Sequence, residues 1–203
     1  MLLPASRIAE LLQRDSSDDP DPLVIAPTPD LARLKAKAGA SVDLRLGTWF
    51  FAMKARRWAV LDEQDSNAAV TTAGDLGNRY YVPFSGHYVL HPRSFVLATT
   101  LEWIRLPRNL GATVTGKSSW GRRGLIIETA PGVHPGFSGC LALEVTNVGE
   151  IPIALWPGVE ICQLTLQRLD SELNTTPKTQ FRGYRYPVVT LPCPDDFARK
   201  LRR

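Results

Sequence analysis

The sequence predicts a mainly β fold, an antiparallel barrel or sandwich preceded by short helices. Three observations carry this expectation. Apolar residues recur at helical spacing only near the N-terminus, alternate at strand spacing from residue 41, and are then cut by turn residues every 8–12 positions or roughly so.

The first helix is expected over residues 5–14, where Ile8, Leu11 and Leu12 share a face and Ser6 offers a cap. The polar, proline-broken loop DSSDDPDP ends it. A second short helix is expected over 29–38, with Pro29 and Asp30 at its start. In SVDLRLG the period becomes two: Val42, Leu44 and Leu46 alternate with Asp43 and Arg45. RWAVLD, RYYVPF, HYVLHP, SFVLATTLEWIRL, ATVTG, GLIIETA, GCLALEVTN, PIALW and EICQLTLQRL follow as short strands. Beyond Leu169 the chain turns polar, then reads FRGYRYPVVTLP. That tail is either a frayed terminus or an arm that closes over a ligand or a neighbouring subunit. The organisation expected is an N-terminal helical segment over 1–39, a barrel over 40–170 and a C-terminal arm over 171–203.

With 203 residues, 44% apolar, the chain is long enough to bury one real core. Its net charge of +4 is spread along the sequence, which favours a solvated surface over a nucleic-acid partner. No apolar run reaches the roughly 18 residues a membrane span needs, and the N-terminus lacks the pattern of a signal peptide. The three cysteines have no C-x-x-C spacing, so reduced thiols, a cytoplasmic location and no structural zinc are expected.

Phosphate-loop, dinucleotide, zinc-protease, zinc-deaminase and nucleophile-elbow motifs are all absent. His87 and His91 read as surface or packing histidines, not as a metal pair. GKSSWGRRG is the first segment equipped for chemistry. Lys117 and Arg122 can carry phosphate charge, Ser118 and Ser119 offer hydroxyls and adjacent N–H groups, and the flanking glycines allow close approach. GCLALEVTN is the second. Leu141, Leu143 and Val145 occupy one face of a strand, and Cys140, Ala142, Glu144 and Thr146 the other. The second face is expected to line a pocket with Glu144 buried in it. There it acts either as an ion-pair partner of Arg122 or Arg123 or as a general acid/base.

GASVDLRLG, YVLHPRSFVLATTLEWIRLPRNL, KSSWGRRGL, TAPGVHPGFSG, LALEVTNVGEIPIALWPG and ICQLTLQRL occur in this order. Over roughly residues 40–187 they resemble the dCTP deaminase branch of the dUTPase-like superfamily. The resemblance implies a distorted antiparallel β-barrel of the dUTPase-like type, assembled as a homotrimer with sites between subunits. It implies zinc-independent hydrolytic deamination of dCTP, or of a close cytosine nucleoside triphosphate, to dUTP and ammonia. Glu144 would shuttle protons among the attacking water, N3 and the departing amine. Ser118 and the Ala130 carbonyl would hold the water, and Arg122 would stabilise developing charge. The turn Lys117, Ser118, Ser119, Trp120, Gly121 and Arg122 would hold the triphosphate, with Mg²⁺ bridging its oxygens. Ala142, Leu143 and Glu144 would read the base, Gln163 and His134 would contact the nucleotide, and Lys178, Gln180 and Tyr184 would come from the arm.

Three departures accompany the resemblance. Lys117 stands where arginine is usual, the arm reads QFRGYRYP, and V-H-P-G replaces I-D-P-G, so that His134 occupies the position of a carboxylate. The last of these argues against a step that hydrolyses the triphosphate. The rival readings are a dUTPase or bifunctional deaminase releasing dUMP and pyrophosphate, and a catalytically silent nucleotide-binding regulator.

Overall fold

A computed structural model of the chain describes residues 1–14, 19–54, 76–173 and 183–189. The N-terminal part holds α1 (Ala5–Gln13), β1 (Val24–Ala26) and α2 (Leu31–Ala36). The strands that follow are β2 (Val42–Met53), β3 (Gly77–Tyr81), β4 (Tyr88–Leu90), β5 (Phe95–Arg105) and β6 (Leu110–Gly116). After the single helical turn α3 (Ser118–Gly121) come β7 (Leu125–Glu128), β8 (Gly132–Val133), β9 (Ser138–Asn147), β10 (Ile153–Leu155) and β11 (Glu160–Arg168). Both N-terminal helices lie where helical spacing predicted them. Asp30 caps α2 by accepting from the N–H groups of Ala32 and Arg33, each at 3.0 Å. Ser6 does not cap α1: the helix starts one residue earlier, behind Pro4, and Ser6 lies inside it. The run RWAVLD lies outside the described residues.

The main sheet runs β7-β9-β5-β2-β11-β6-β8, with β1 on β5 and β3 on β2, and every pairing in it is antiparallel. Its two end strands, β7 and β8, are consecutive in the chain and joined only by Thr129, Ala130 and Pro131. A link that short reaches at most roughly 14 Å. The sheet must therefore curl until its edges meet, which is how an open ladder becomes a barrel. Gly116 helps the edges approach, since a Cβ there would sit 3.3 Å from the Ile127 Cβ.

The core is what the alternation predicts: Val42, Leu44, Leu46, Phe50, Leu143, Val145, Leu164 and Leu166 are buried inside the curl. Helix α1 closes one side with Ala5, Ile8 and Ala9. Among the described residues no helix is long and apolar enough to cross a membrane.

Strand β2 changes partners midway, pairing β11 through Val42–Arg45 and β5 and β3 beyond Leu46. At that corner Gly47 is forced, because a Cβ would meet the Thr99 carbonyl oxygen at 2.9 Å. Buried Glu102 braces the corner by accepting from the Arg45 backbone N–H at 2.8 Å and from Arg45 Nη1 at 3.2 Å. Burial pushes its carboxyl up, and the bonds from Arg45 offset only part of this.

Asn147, fully buried at the end of β9, ties three segments together. Its Nδ2 donates to the carbonyls of Leu90 (3.0 Å) and Ile151 (2.9 Å), and its Oδ1 accepts from Gly149 N (3.0 Å). Asn147→Ala leaves these groups without partners and is expected to cost about 2–3 kcal/mol, read as a lower urea midpoint at unchanged m-value.

Candidate functional site

Pairing of β6 with β11 aligns Gly116 with Cys162, so the first residue after β6, Lys117, arrives beside Ile161 and Glu160. Three bonds then tie the GKSSW turn to β11. Lys117 N donates to the Ile161 carbonyl at 3.0 Å, Lys117 Nζ to Glu160 Oε2 at 2.7 Å, and Trp120 Nε1 to the Glu160 carbonyl at 2.9 Å. Lys117 Nζ also lies 3.1 Å from Asp43 Oδ1. Asp43 in turn accepts from Gln163 Nε2 and Lys37 Nζ, each at 2.9 Å, and Glu160 Oε1 accepts from Arg33 Nη1 at 2.9 Å. Lys117 and Gln163, both expected at the nucleotide, are thus held by carboxylates of their own chain. Ser118, Ser119, Gly121 and Arg122 face solvent, while Trp120 is half-buried.

The electrostatics follow from this geometry. Burial pushes the Asp43 carboxyl up, but the bonds from Gln163, Lys37 and Lys117 outweigh it and hold the group at about 2. The Lys117 bond holds Glu160 below its ordinary value despite partial burial. Burial pushes Lys117 down, and the two carboxylates more than reverse that.

The second half of the site lies on β7, β9 and the link between β7 and β8. Leu141, Leu143 and Val145 point into the core, so the alternate face of β9 is the outer surface of the barrel. This corrects the expectation of a buried Glu144. Its side chain is exposed, as is that of Ala142, and it lies directly across the ladder from Glu128, also exposed. No ion pair joins Glu144 to Arg122 or Arg123; Arg123 sits over the Trp120 ring at 5.4 Å instead. The Thr129 hydroxyl donates to the Ala142 carbonyl at 2.9 Å, and the Pro131 carbonyl accepts from Val114 N at 3.0 Å. These bonds hold Ala130, exposed, between two fixed points. His134 is exposed at the head of a tight turn in which its carbonyl accepts from Phe137 N at 3.1 Å. The chain therefore brings Ala142 and Glu144 beside the Ala130 link. Among the described residues no bond joins that group to Ser118 or Arg122.

Lys178 and Gln180 lie outside the described residues. Tyr184 lies against its own barrel: Gly183 N donates to the Ser138 carbonyl at 2.7 Å, and Cys140 N to the Tyr184 carbonyl at 3.0 Å. Arg185 stacks over Trp103 at 5.3 Å, and Tyr186 receives Arg79 at 4.0 Å. The arm thus extends the ladder at the half of β9 that β7 leaves unpaired. Burial pushes the Cys140 thiol to about 11 and the Cys162 thiol to about 12, which removes both as nucleophiles. A cleft of about 630 Å³ near α1, with Arg7, Arg14 and Arg168 on its walls, contains none of these candidate residues.

Sequence reasoning missed Asp43, Glu160, Glu128 and Glu102. Each sits in a strand whose alternation marks it simply as the polar partner, and only register shows what lies opposite. For Asp43 the signal was its pairing with Gln163 across β2 and β11.

The family model described as dCTP deaminase-like matches residues 3–169. A protein of Dictyoglomus turgidum named dCTP deaminase, dUMP-forming, is 39% identical over 137 residues, covering 67% of this chain and 68% of its own. The Parafrankia protein of the same name is 39% identical over 169 residues, 79% of each chain. That of Corynebacterium efficiens is 34% identical over 185 residues, 89% of this chain and 86% of its own. The solved 2'-deoxycytidine 5'-triphosphate deaminase of Agrobacterium tumefaciens superposes with a TM-score of 0.59 at 21% identity, over 85% of this chain and 50% of that one. This last likeness shows a shared fold.

Asp43 supplies a pH test. Its folded value, about 2, lies below the ordinary 3.8 of an aspartate, so its contribution to stability is present above about pH 4 and is lost as pH falls towards 2. The gap between wild type and Asp43→Asn is expected to be about 2 kcal/mol at pH 7 and to close near pH 2, measured by denaturant unfolding across that range.

Proposed function

Because this chain belongs to the dCTP deaminase-like family, we propose that it converts dCTP and two waters to dUMP, ammonia and pyrophosphate. The dUTP product expected from the sequence is corrected here: the relatives are named for forming dUMP. That expectation rested on reading His134 as the loss of a water-activating carboxylate. An imidazole nitrogen can also accept a proton, so the substitution does not by itself end the chemistry at the triphosphate.

The observation that carries the reading is the joint placement of Glu144, Ala142 and the Ala130 link on one outer face, with Ser118, Ser119 and Arg122 presented on a bonded turn. In the proposed deamination, water adds to C4 of the cytosine ring while Glu144 takes its proton and passes it to N3. The tetrahedral carbon then expels the amine as ammonia, Glu144 carrying the second proton to it. Ser118 and the Ala130 carbonyl orient the water, and Arg122 stabilises the charge that develops. Ala142 and Leu143 meet the base edge with backbone groups. Ser119 and Arg122 meet the phosphates. A second water cleaves the anhydride between the α- and β-phosphates, releasing dUMP and pyrophosphate.

Exposure of these groups in a single chain supports a site completed by a neighbouring copy in a homotrimer. The described residues contain no cluster of three metal-ligating side chains. Mg²⁺ in this reading accompanies the triphosphate, and no step is assigned to it.

Purified protein given dCTP with Mg²⁺ is expected to release ammonia, dUMP and pyrophosphate in equal amounts. Glu144→Gln should lower ammonia release by about 10²–10⁴-fold while nucleotide binding persists. Ammonia accompanied only by dUTP would refute the dUMP-forming reading. Binding without any ammonia would refute the deaminase.

A further inference from the structure

We propose that Glu160 is a positioning residue for the phosphate-binding turn, with Lys117 as the cationic half of the clamp instead of a phosphate ligand. The proposal rests on the reading that Ser118, Ser119 and Arg122 meet the triphosphate.

The turn cannot hold its own shape. Helix α3 has four residues, and an isolated helical turn is far too short to be stable in water. No side chain caps its start: Lys117, the residue before the helix, makes no side-chain cap bond, and Ser118 and Ser119 lie within the helix. What fixes the turn lies outside it. Glu160 accepts Trp120 Nε1 at its carbonyl and Lys117 Nζ at its carboxylate, so one residue grips the turn at both ends. Its other carboxylate oxygen is taken by Arg33 of α2, which orients the carboxylate from the opposite side. Lys117 is further held by Asp43.

Charge points the same way. Lys117 faces two carboxylates at 2.7 and 3.1 Å, each shared with a second cation, Arg33 or Lys37, so its ammonium group is already engaged on two sides. An incoming phosphate would have to displace both, leaving Asp43 and Glu160 close to its own oxygens. Arg122, exposed and without an ion pair among the described residues, has no such competition. The clamp therefore makes Arg122 and the two serines the groups that meet the anion, in one prearranged geometry. Binding then avoids the entropy of ordering a loose loop.

The two roles for Lys117 predict opposite outcomes for Glu160→Gln. If Glu160 clamps the turn, loss of the ion pair loosens it: KM for dCTP should rise about tenfold with kcat changed less than about threefold. Lys117→Met should match it, and the double variant should be no worse than either single one, as for two halves of one contact. If Lys117 is a phosphate ligand restrained by Glu160, the same substitution frees it and KM falls. A fall, or an unchanged KM, overturns the proposal. Trp120→Phe removes one bond of the clamp while keeping an aromatic ring, and should raise KM by a smaller factor even if Glu160→Gln proves too unstable to assay. Calorimetric binding of inorganic tripolyphosphate to the full chain reads the turn without base chemistry. An enzyme that releases no ammonia yet loses tripolyphosphate affinity in Glu160→Gln would refute the deaminase and leave the clamp standing. Tripolyphosphate affinity that is equal or tighter in the variant refutes the clamp.

Discussion

Three residues, Thr129, Ala130 and Pro131, join the two edges of a single antiparallel sheet, and the rest of the structure depends on that constraint. Because the link is short, β7 and β8 must lie close, and the intervening strands must curl around a common core. The candidate site gathers at this seam for the same reason. Helix α3 lies on the short connection between β6 and β7, Ala130 is in the link itself, and Glu144 sits on the strand that flanks β7. A longer link would relax the curl and scatter these groups. The pinning of Ala130 between the Thr129 and Pro131 bonds shows how little freedom the seam retains.

A second constraint is the ladder of charge across β2, β11 and the α3 turn. Lys37, Asp43, Lys117, Glu160 and Arg33 alternate in sign, and Gln163 completes the set. Isolated surface ion pairs contribute little, but here each carboxylate accepts from more than one donor, and the groups belong to four different elements. The network therefore acts less as a source of stability than as a device for register. It holds α2, β2 and the α3 turn in one relative position.

Much of this was legible in the sequence. The period change at Ser41, the helix start at Asp30 and the approximate spans of β5, β6, β7, β9, β10 and β11 follow from spacing and turn chemistry alone, whereas β8, two residues long, leaves no periodic trace. The order of the segments was enough to expose the family. What spacing could not supply is direction and partner. Alternation in GCLALEVTN sorts Glu144 from Leu143 but does not say whether the polar face lines a pocket or the outside. The leucines settle that question once the core is known, because one face of a strand cannot be inside without the other being out. Likewise GKSSWGRRG displays Lys117 and Arg122 as equals. Only the pairing of Gly116 with Cys162 shows that Lys117 falls beside Glu160, while Arg122 faces solvent. The Ser6 cap failed for a simpler reason: Pro4 already supplies a residue suited to a helix start, so the helix begins before the serine is reached.

The opposition of Glu128 and Glu144 across β7 and β9 is a feature of the outer face that only register reveals. Like charges placed directly opposite in an antiparallel pair destabilise it, and no cation among the described residues offsets these two. The sheet tolerates the pair because both side chains reach water, where their repulsion is screened. The burial expected for Glu144 is absent: its side chain stands on the outer face with that of Ala142, because Leu141, Leu143 and Val145 of the same strand take the inside.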